Sequence, residues 1–162
     1  ASAGAAVGPT KITFDAPPGK MQMRVSVESA GSEVLDSEIR EVAVPDLTAP
    51  DTAIGTPAVF RARTVRELQQ LKTDAQAAPT AAREFSRSDR VFVRVPIYGQ
   101  NPTVTAKLLN RAGDAMSELA ASGAGAATRD FDLALNSLPP GEYIVEISTG
   151  ASKELVGFRV LG

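Results

Sequence analysis

Between Arg90 and Tyr98 the sequence reads RVFVRVPIY, with Val91, Val93, Val95 and Ile97 at every second position. Side chains of an extended strand point alternately to its two faces, so this spacing sets all four on one face and fits a strand. The same period recurs along the chain. Met21, Met23, Val25 and Val27 alternate with Gln22, Arg24, Ser26 and Glu28. Further rows are Val104, Ala106 and Leu108; Phe131, Leu133 and Leu135; Tyr143, Val145 and Ile147; and Val156, Phe158 and Val160. Turn chemistry separates these rows: PPG twice, YGQNP, NRAGD and SGAGA. Short alternating strands spaced in this way predict an all-β, antiparallel sandwich with one face of each sheet buried.

The core this implies is aliphatic. Hydrophobic residues make up 43% of the 162, but much of that is Ala, and aromatic residues are 5%. Val, Leu, Ile and a few Phe must therefore fill the interior. Two stretches also repeat one another: FDAPPGKMQMRVSVESAGSEV and FDLALNSLPPGEYIVEISTGASKEL. Each runs from Phe-Asp to Pro-Pro-Gly, where the prolines restrict the corner and Gly can supply a positive φ. Each then predicts a strand, a tight turn and a returning strand. Little sequence precedes the first copy, so its lobe is expected to be incomplete, with strand edges that must be covered or paired. Between the copies, VPDLTAPDTAIGTP reads as an extended connection. TVRELQQLKTDAQ breaks the alternation. Thr64 followed by Glu67 forms a capping-box pattern, with Val65, Leu68, Leu71 and Lys72 at helical spacing, which predicts a short helix ending near Pro79.

Charge is clustered at REFSRSDR, where Arg83, Glu84, Arg87, Asp89 and Arg90 open the central strand. As a site, the cluster would be an anion or partner-recognition patch. As structure, it is a self-compensating polar turn with Phe85 beneath it, and alternating signs favour this second reading. Over a longer range, Glu28, Glu33, Asp36, Glu38, Glu41, Asp46 and Asp51 face only Arg40 in one segment. Arg61, Arg63, Arg66, Lys72, Arg83, Arg87, Arg90 and Arg94 dominate the next. The segregation suggests docking of the acidic hairpin on the basic stretch. The alternative is two ordinary solvated faces.

Several chemistries lack their equipment. Cys, His and Trp are absent, which removes thiolate and imidazole metal ligands, thiol nucleophiles and a Ser-His-Asp triad. No stretch has the Asp/Asn ladder with central Gly of a calcium loop, and SGAGAAT lacks the Lys-Ser/Thr ending of a phosphate loop. The expectation is therefore no catalytic, cofactor-binding or metal residue, and no enzyme. The ligand-binding residues stay unknown. A formal charge of −2 supplies no general attraction to nucleic acid, and no apolar run approaches the length that spans a bilayer. A carbohydrate-binding face would use Tyr98 or Tyr143, both of which fall in strand patterns.

FDAPPGKMQMRVSVES, REVAVPDL, TPAVFRART, AAREFSRSDRVFVRVPIYG, VTAKLLNRAGDAM, LPPGEYIVEI and KELVGFRVLG together resemble the C-terminal region of bacterial VWFA-related proteins. These are named for their von Willebrand factor A-like domain. The resemblance implies an Ig-like β-sandwich following an A-type domain in an exported, extracytoplasmic protein. The Asp-x-Ser-x-Ser signature of the A-type metal site does not occur here, so none of its chemistry carries over. The expected organisation is a flexible leader at 1–9, an N-terminal β segment at 10–62, a linker with a short helix at 63–81 and the sandwich at 82–162. The expected function is a non-catalytic structural or interaction module. It would space or present the neighbouring domain and contact protein, either that domain or another chain by strand-edge pairing. The alternative is a carbohydrate- or cell-envelope-binding module. No nucleic acid, membrane insertion or cofactor is expected.

Overall fold

The computed structural model describes residues 14–48, 53–99, 103–122, 127–150 and 152–162. The leader at 1–9 and most of the YGQNP and SGAGA turns lie outside the described residues. The chain divides into two compact units, Ala1–Leu47 and Thr48–Gly162.

The first unit contains one antiparallel hairpin, β1 (Gly19–Glu28) with β2 (Val34–Val44), in register from Gly19↔Val44 to Glu28↔Val34 and bulged near Val27 and Glu28. Its strand starts at Gly19, whose φ of 127° is open to glycine but strained for other residues. The turn closes through Ser29 and Glu33, with Ser32 at a φ of 63°. This hairpin is what the first Phe-Asp-Pro-Pro-Gly repeat predicted. The two copies differ at their Phe, however. Phe14 is 53% exposed, whereas Phe131 is buried in the second copy.

The second unit is an all-β sandwich of two five-stranded sheets. One holds β3 (Ala53–Ile54), β4 (Ala58–Ala62), β6 (Arg90–Tyr98), β9 (Ala121–Ser122) and β10 (Thr128–Ala134), with β6 between β10 on one side and β3 and β4 on the other. The other runs β5 (Glu84–Phe85), β12 (Lys153–Val160), β11 (Gly141–Ser148), β7 (Thr105–Asn110) and β8 (Ala115–Leu119). All pairings are antiparallel except β5 with β12. Most of the interior is the set that alternation marked, Val91, Val93, Val95, Ile97, Ala106, Leu108, Phe131, Leu135, Tyr143, Val145, Ile147, Val156, Phe158 and Val160, joined by Val59, Phe85 and Leu138, which it did not mark. Phe158 packs between two rings, 5.8 Å from Tyr143 and 6.1 Å from Phe85. The Tyr143 hydroxyl donates to the Pro139 carbonyl at 2.8 Å, so the ring stays in the core while its one polar atom is satisfied at the corner leading into β11.

Two expectations are corrected. The boundary expected at residue 62 does not separate the units. β3 and β4 are ladder partners of β6, and Val59 belongs to the main core. Pairing with a distant strand leaves no local mark in VPDLTAPDTAIGTP, which is why that stretch read as a connection. The helix, α1 (Val65–Thr73), forms where the capping pattern predicts, but it stops well before Pro79. Thr64 Oγ1 accepts from Glu67 N–H at 3.1 Å, and the Glu67 carboxylate accepts from Arg63 N–H at 2.6 Å, one residue before the cap. At the other end, the extended Asp74 donates its N–H to the Gln70 carbonyl. Leu68 is buried and Leu71 is partly so, while Val65 is 67% exposed. The helix covers a second, smaller core made by Phe60, Ala62 and Phe92 on the outer face of β4 and β6.

Candidate functional site

The charge cluster at 83–90 is the most conspicuous polar feature in the sequence, and the structure disperses it among separate partners. Asp89 is 6% exposed. Its Oδ2 accepts from Ser86 N–H at 2.8 Å, and its own N–H donates to the Ser86 carbonyl at 3.0 Å, closing the turn before β6. Arg61 on β4 brings Nε to 3.5 Å from the same oxygen and lays its guanidinium 4.9 Å over the Phe85 ring. That Nε is buried with no hydrogen-bond partner of its own, so the ion pair and ring contact are what it has. Another Arg61 nitrogen donates to the Glu84 carbonyl. Arg63 stands 4.0 Å from Asp89 and is 73% exposed in its side chain. Arg87 donates to the Asn136 carbonyl at 2.7 Å, and Arg83 to the Thr80 and Ala82 carbonyls at 3.0 Å.

On the outer face of β6, Arg90, Phe92 and Arg94 alternate with the core-facing valines. Arg90 holds both oxygens of Asp132 at 3.0 Å, with Lys72 of α1 at 3.9 Å from the same carboxylate. Arg94 grips Asp130 at 3.1 and 3.3 Å and also donates to the Leu71, Lys72 and Asp74 carbonyls at 3.0 to 3.1 Å. The guanidinium lies 5.3 Å from the Phe92 ring and 5.9 Å from that of Phe60. It therefore satisfies carbonyls left over at the helix C-terminus and ties α1 to the sheet. Small residues make room for this, because Ala58 is the ladder neighbour of Arg94 and Ala62 that of Arg90. Arg61, Lys72, Arg87, Arg90 and Arg94 are thus engaged inside the sandwich unit rather than displayed as a basic face.

The hairpin's acids are arranged differently. Glu38 accepts from Arg40 Nε at 2.7 Å, and this hydrogen bond raises the Arg40 pKa above its ordinary value. Glu41 accepts from Gln22 at 3.3 Å. Among the described residues, no three acidic side chains converge in a way that could hold a metal ion.

Neither tyrosine offers a flat exposed ring. Tyr143 is in the core. Tyr98 is half-buried against Gly55, where an added Cβ would sit 3.1 Å from its ring. Several open hollows lie on the sandwich unit. One, of about 590 Å³, lies beside α1 with Arg61, Glu67, Gln70 and Asp74 in its lining. Another, of about 530 Å³, lies over Gly157 and Ile144, between Arg83, Arg111, Glu142 and Arg159. In this second hollow Glu142 pairs with Arg111 at 3.3 Å.

The feature that alternation could not reveal is an edge. β5 covers only Arg159 and Val160 of β12. Arg159 N–H donates to the Arg83 carbonyl and Leu161 N–H to that of Phe85, so odd-numbered residues of β12 direct their backbone groups to this side. By the same alternation, Leu155 and Gly157 present N–H and C=O where no described strand receives them. Leu155 is 58% exposed. The signal was present as Leu155 and Gly157 on the outward phase of KELVGFRV, but their place at a sheet margin depends on strand order. Among the described residues, no helix is long and apolar enough to cross a membrane. No protein-family model matches the chain, and no curated protein matches it.

Proposed function

We propose that this chain is a non-catalytic structural and interaction module of an exported, VWFA-related protein, which spaces or presents a neighbouring domain and contacts protein by strand addition. The observation that carries this reading is the margin of β12 from Lys153 to Phe158, which no other strand among the described residues pairs with. An extended segment adding there gains main-chain hydrogen bonds from Leu155 and Gly157. The missing side chain at Gly157 and the hollow over it leave room for a partner side chain. The ion pairs support a structural role, since the buried charges are spent on holding α1 and the β6 turn in place. An Ig-like character is supported by the strand order, with a short parallel strand beside the last one, and by the Tyr143 corner onto Pro139. The extracytoplasmic setting rests on the sequence resemblance.

The test is binding of this chain to the remaining domains of its parent protein, measured by titration calorimetry. Gly157→Pro removes one outward N–H, and Leu155→Lys places a charge on the same margin. Both are expected to weaken binding by about tenfold or more, corresponding to roughly 1.4 kcal/mol, with the urea midpoint of each variant reported alongside. Binding that both stably folded variants retain in full would refute the edge assignment.

A further inference from the structure

A two-stranded hairpin has one neighbour per strand and no second layer, and is marginal in water by itself. β1 and β2 nevertheless hold register over ten residue pairs. Among the described residues β2 pairs only with β1, so its other edge is unpaired. The sequence of that edge, VLDSEIREVAV, is chemically self-complementary about its midpoint, Ile39.

We infer that β2 pairs antiparallel with β2 of a second copy of this chain about a two-fold axis through Ile39, making a four-stranded sheet β1-β2-β2-β1. In this register Ile39 meets the partner's Ile39, Arg40 meets the partner's Glu38, and Glu38 meets the partner's Arg40. Further out, Ser37 faces the partner's Glu41 and Asp36 the partner's Val42. Between Asp36 and Val42, residues equidistant from Ile39 share the same phase of the strand, so outward backbone groups meet outward groups whichever phase points to the free edge. The hydrogen-bond ladder therefore closes over this central stretch, up to the bulge at Leu35.

Both faces gain from this. Ile39 is 65% exposed and Leu35 is 64% exposed. Two copies bring both Ile39 side chains together, flanked on the same face by Ser37 and the partner's Glu41. On the opposite face Arg40 already pairs with Glu38 of its own strand, with both side chains more than half exposed. The second copy completes a square in which the two arginines and two glutamates alternate. β1 offers no such charge exchange at its centre: a two-fold through Arg24 sets two arginines against each other, and one through Met23 sets Arg24 against Gln22.

This deepens the interaction-module reading by naming a partner for the hairpin, and it involves residues distinct from the β12 margin. The experiment is sedimentation of the full chain across a dilution series. A reversible dimer is expected, weakened about tenfold or more by Arg40→Glu and likewise by Glu38→Arg. Mixing the two single variants should give a heterodimer, and E38R/R40E in one chain should restore the homodimer. Because the chain has no cysteine, Ile39→Cys should cross-link to its copy under mild oxidation, while Ser37→Cys and Glu41→Cys should not. A chain that stays monomeric with no Ile39→Cys cross-link overturns the inference. So does a dimer indifferent to charge reversal, or cross-linking that is equal at all three positions. Each of these results leaves the β12 experiment to be decided on its own.

Discussion

Without its guanidinium partner, the Asp130 carboxylate would be a charge with 8% of its side chain exposed, and the Leu71, Lys72 and Asp74 carbonyls would lose a donor. Arg94→Ala is therefore expected to cost about 3 to 5 kcal/mol, the range for breaking a buried pair from one side, as measured by urea denaturation. Arg94→Lys keeps the charge but replaces a planar fork with one ammonium, which cannot reach Asp130 and three carbonyls together. It should recover less than half of that loss. A lysine variant equal to wild type would show that charge alone matters there. REFSRSDR was legible as a polar structural turn with Phe85 beneath it, but its charges do not compensate one another as expected: Asp89 pairs with Arg61 and Arg63, Arg90 with Asp132 and Glu84 with Arg159. Its partners were not legible: Arg61, Asn136 and Asp132 come from other strands and loops.

The helix shows how a local signal and a tertiary one combine. Thr64 and Glu67 marked its start correctly, since capping is a contact within one turn. Its end depended on Asp74 turning extended and on Arg94 collecting the last carbonyls, neither of which a nine-residue segment encodes. A helix this short depends on packing, and here Leu68 against Phe60 and Phe92 supplies it. Thr64→Ala should cost about 1 kcal/mol. In hydrogen exchange, amides of α1 should lose protection before those of β6 and β11. Uniform loss across all three would mean that the helix is not a separate opening unit. Phe92 was the overlooked residue of its strand. Between two arginines it reads as outward, and it is outward, but α1 makes that outer face a second interior.

The division at Leu47 and Thr48 has a consequence for the chain as a whole. Among the described residues, both hydrophobic cores draw only on positions from Ile54 onward, so a chain beginning at Thr48 is expected to keep the urea midpoint of the sandwich transition. A midpoint lowered by more than about 1 kcal/mol of stability, on an m-value basis, would mean that the sandwich draws on the hairpin. Alternation by itself determined the strand class, the inward rows of the sandwich and the two hairpins, because a period of two is a property of neighbouring residues; it did not decide burial, since in the row Met21, Met23, Val25 and Val27 the two valines are 48% and 56% exposed. Strand order, the capture of β3 and β4 by β6, the covered outer face and the free margin of β12 were decided only when distant segments met. Those outcomes depend on which ladder each backbone edge joins, and main-chain N–H and C=O groups are the same in every residue but proline.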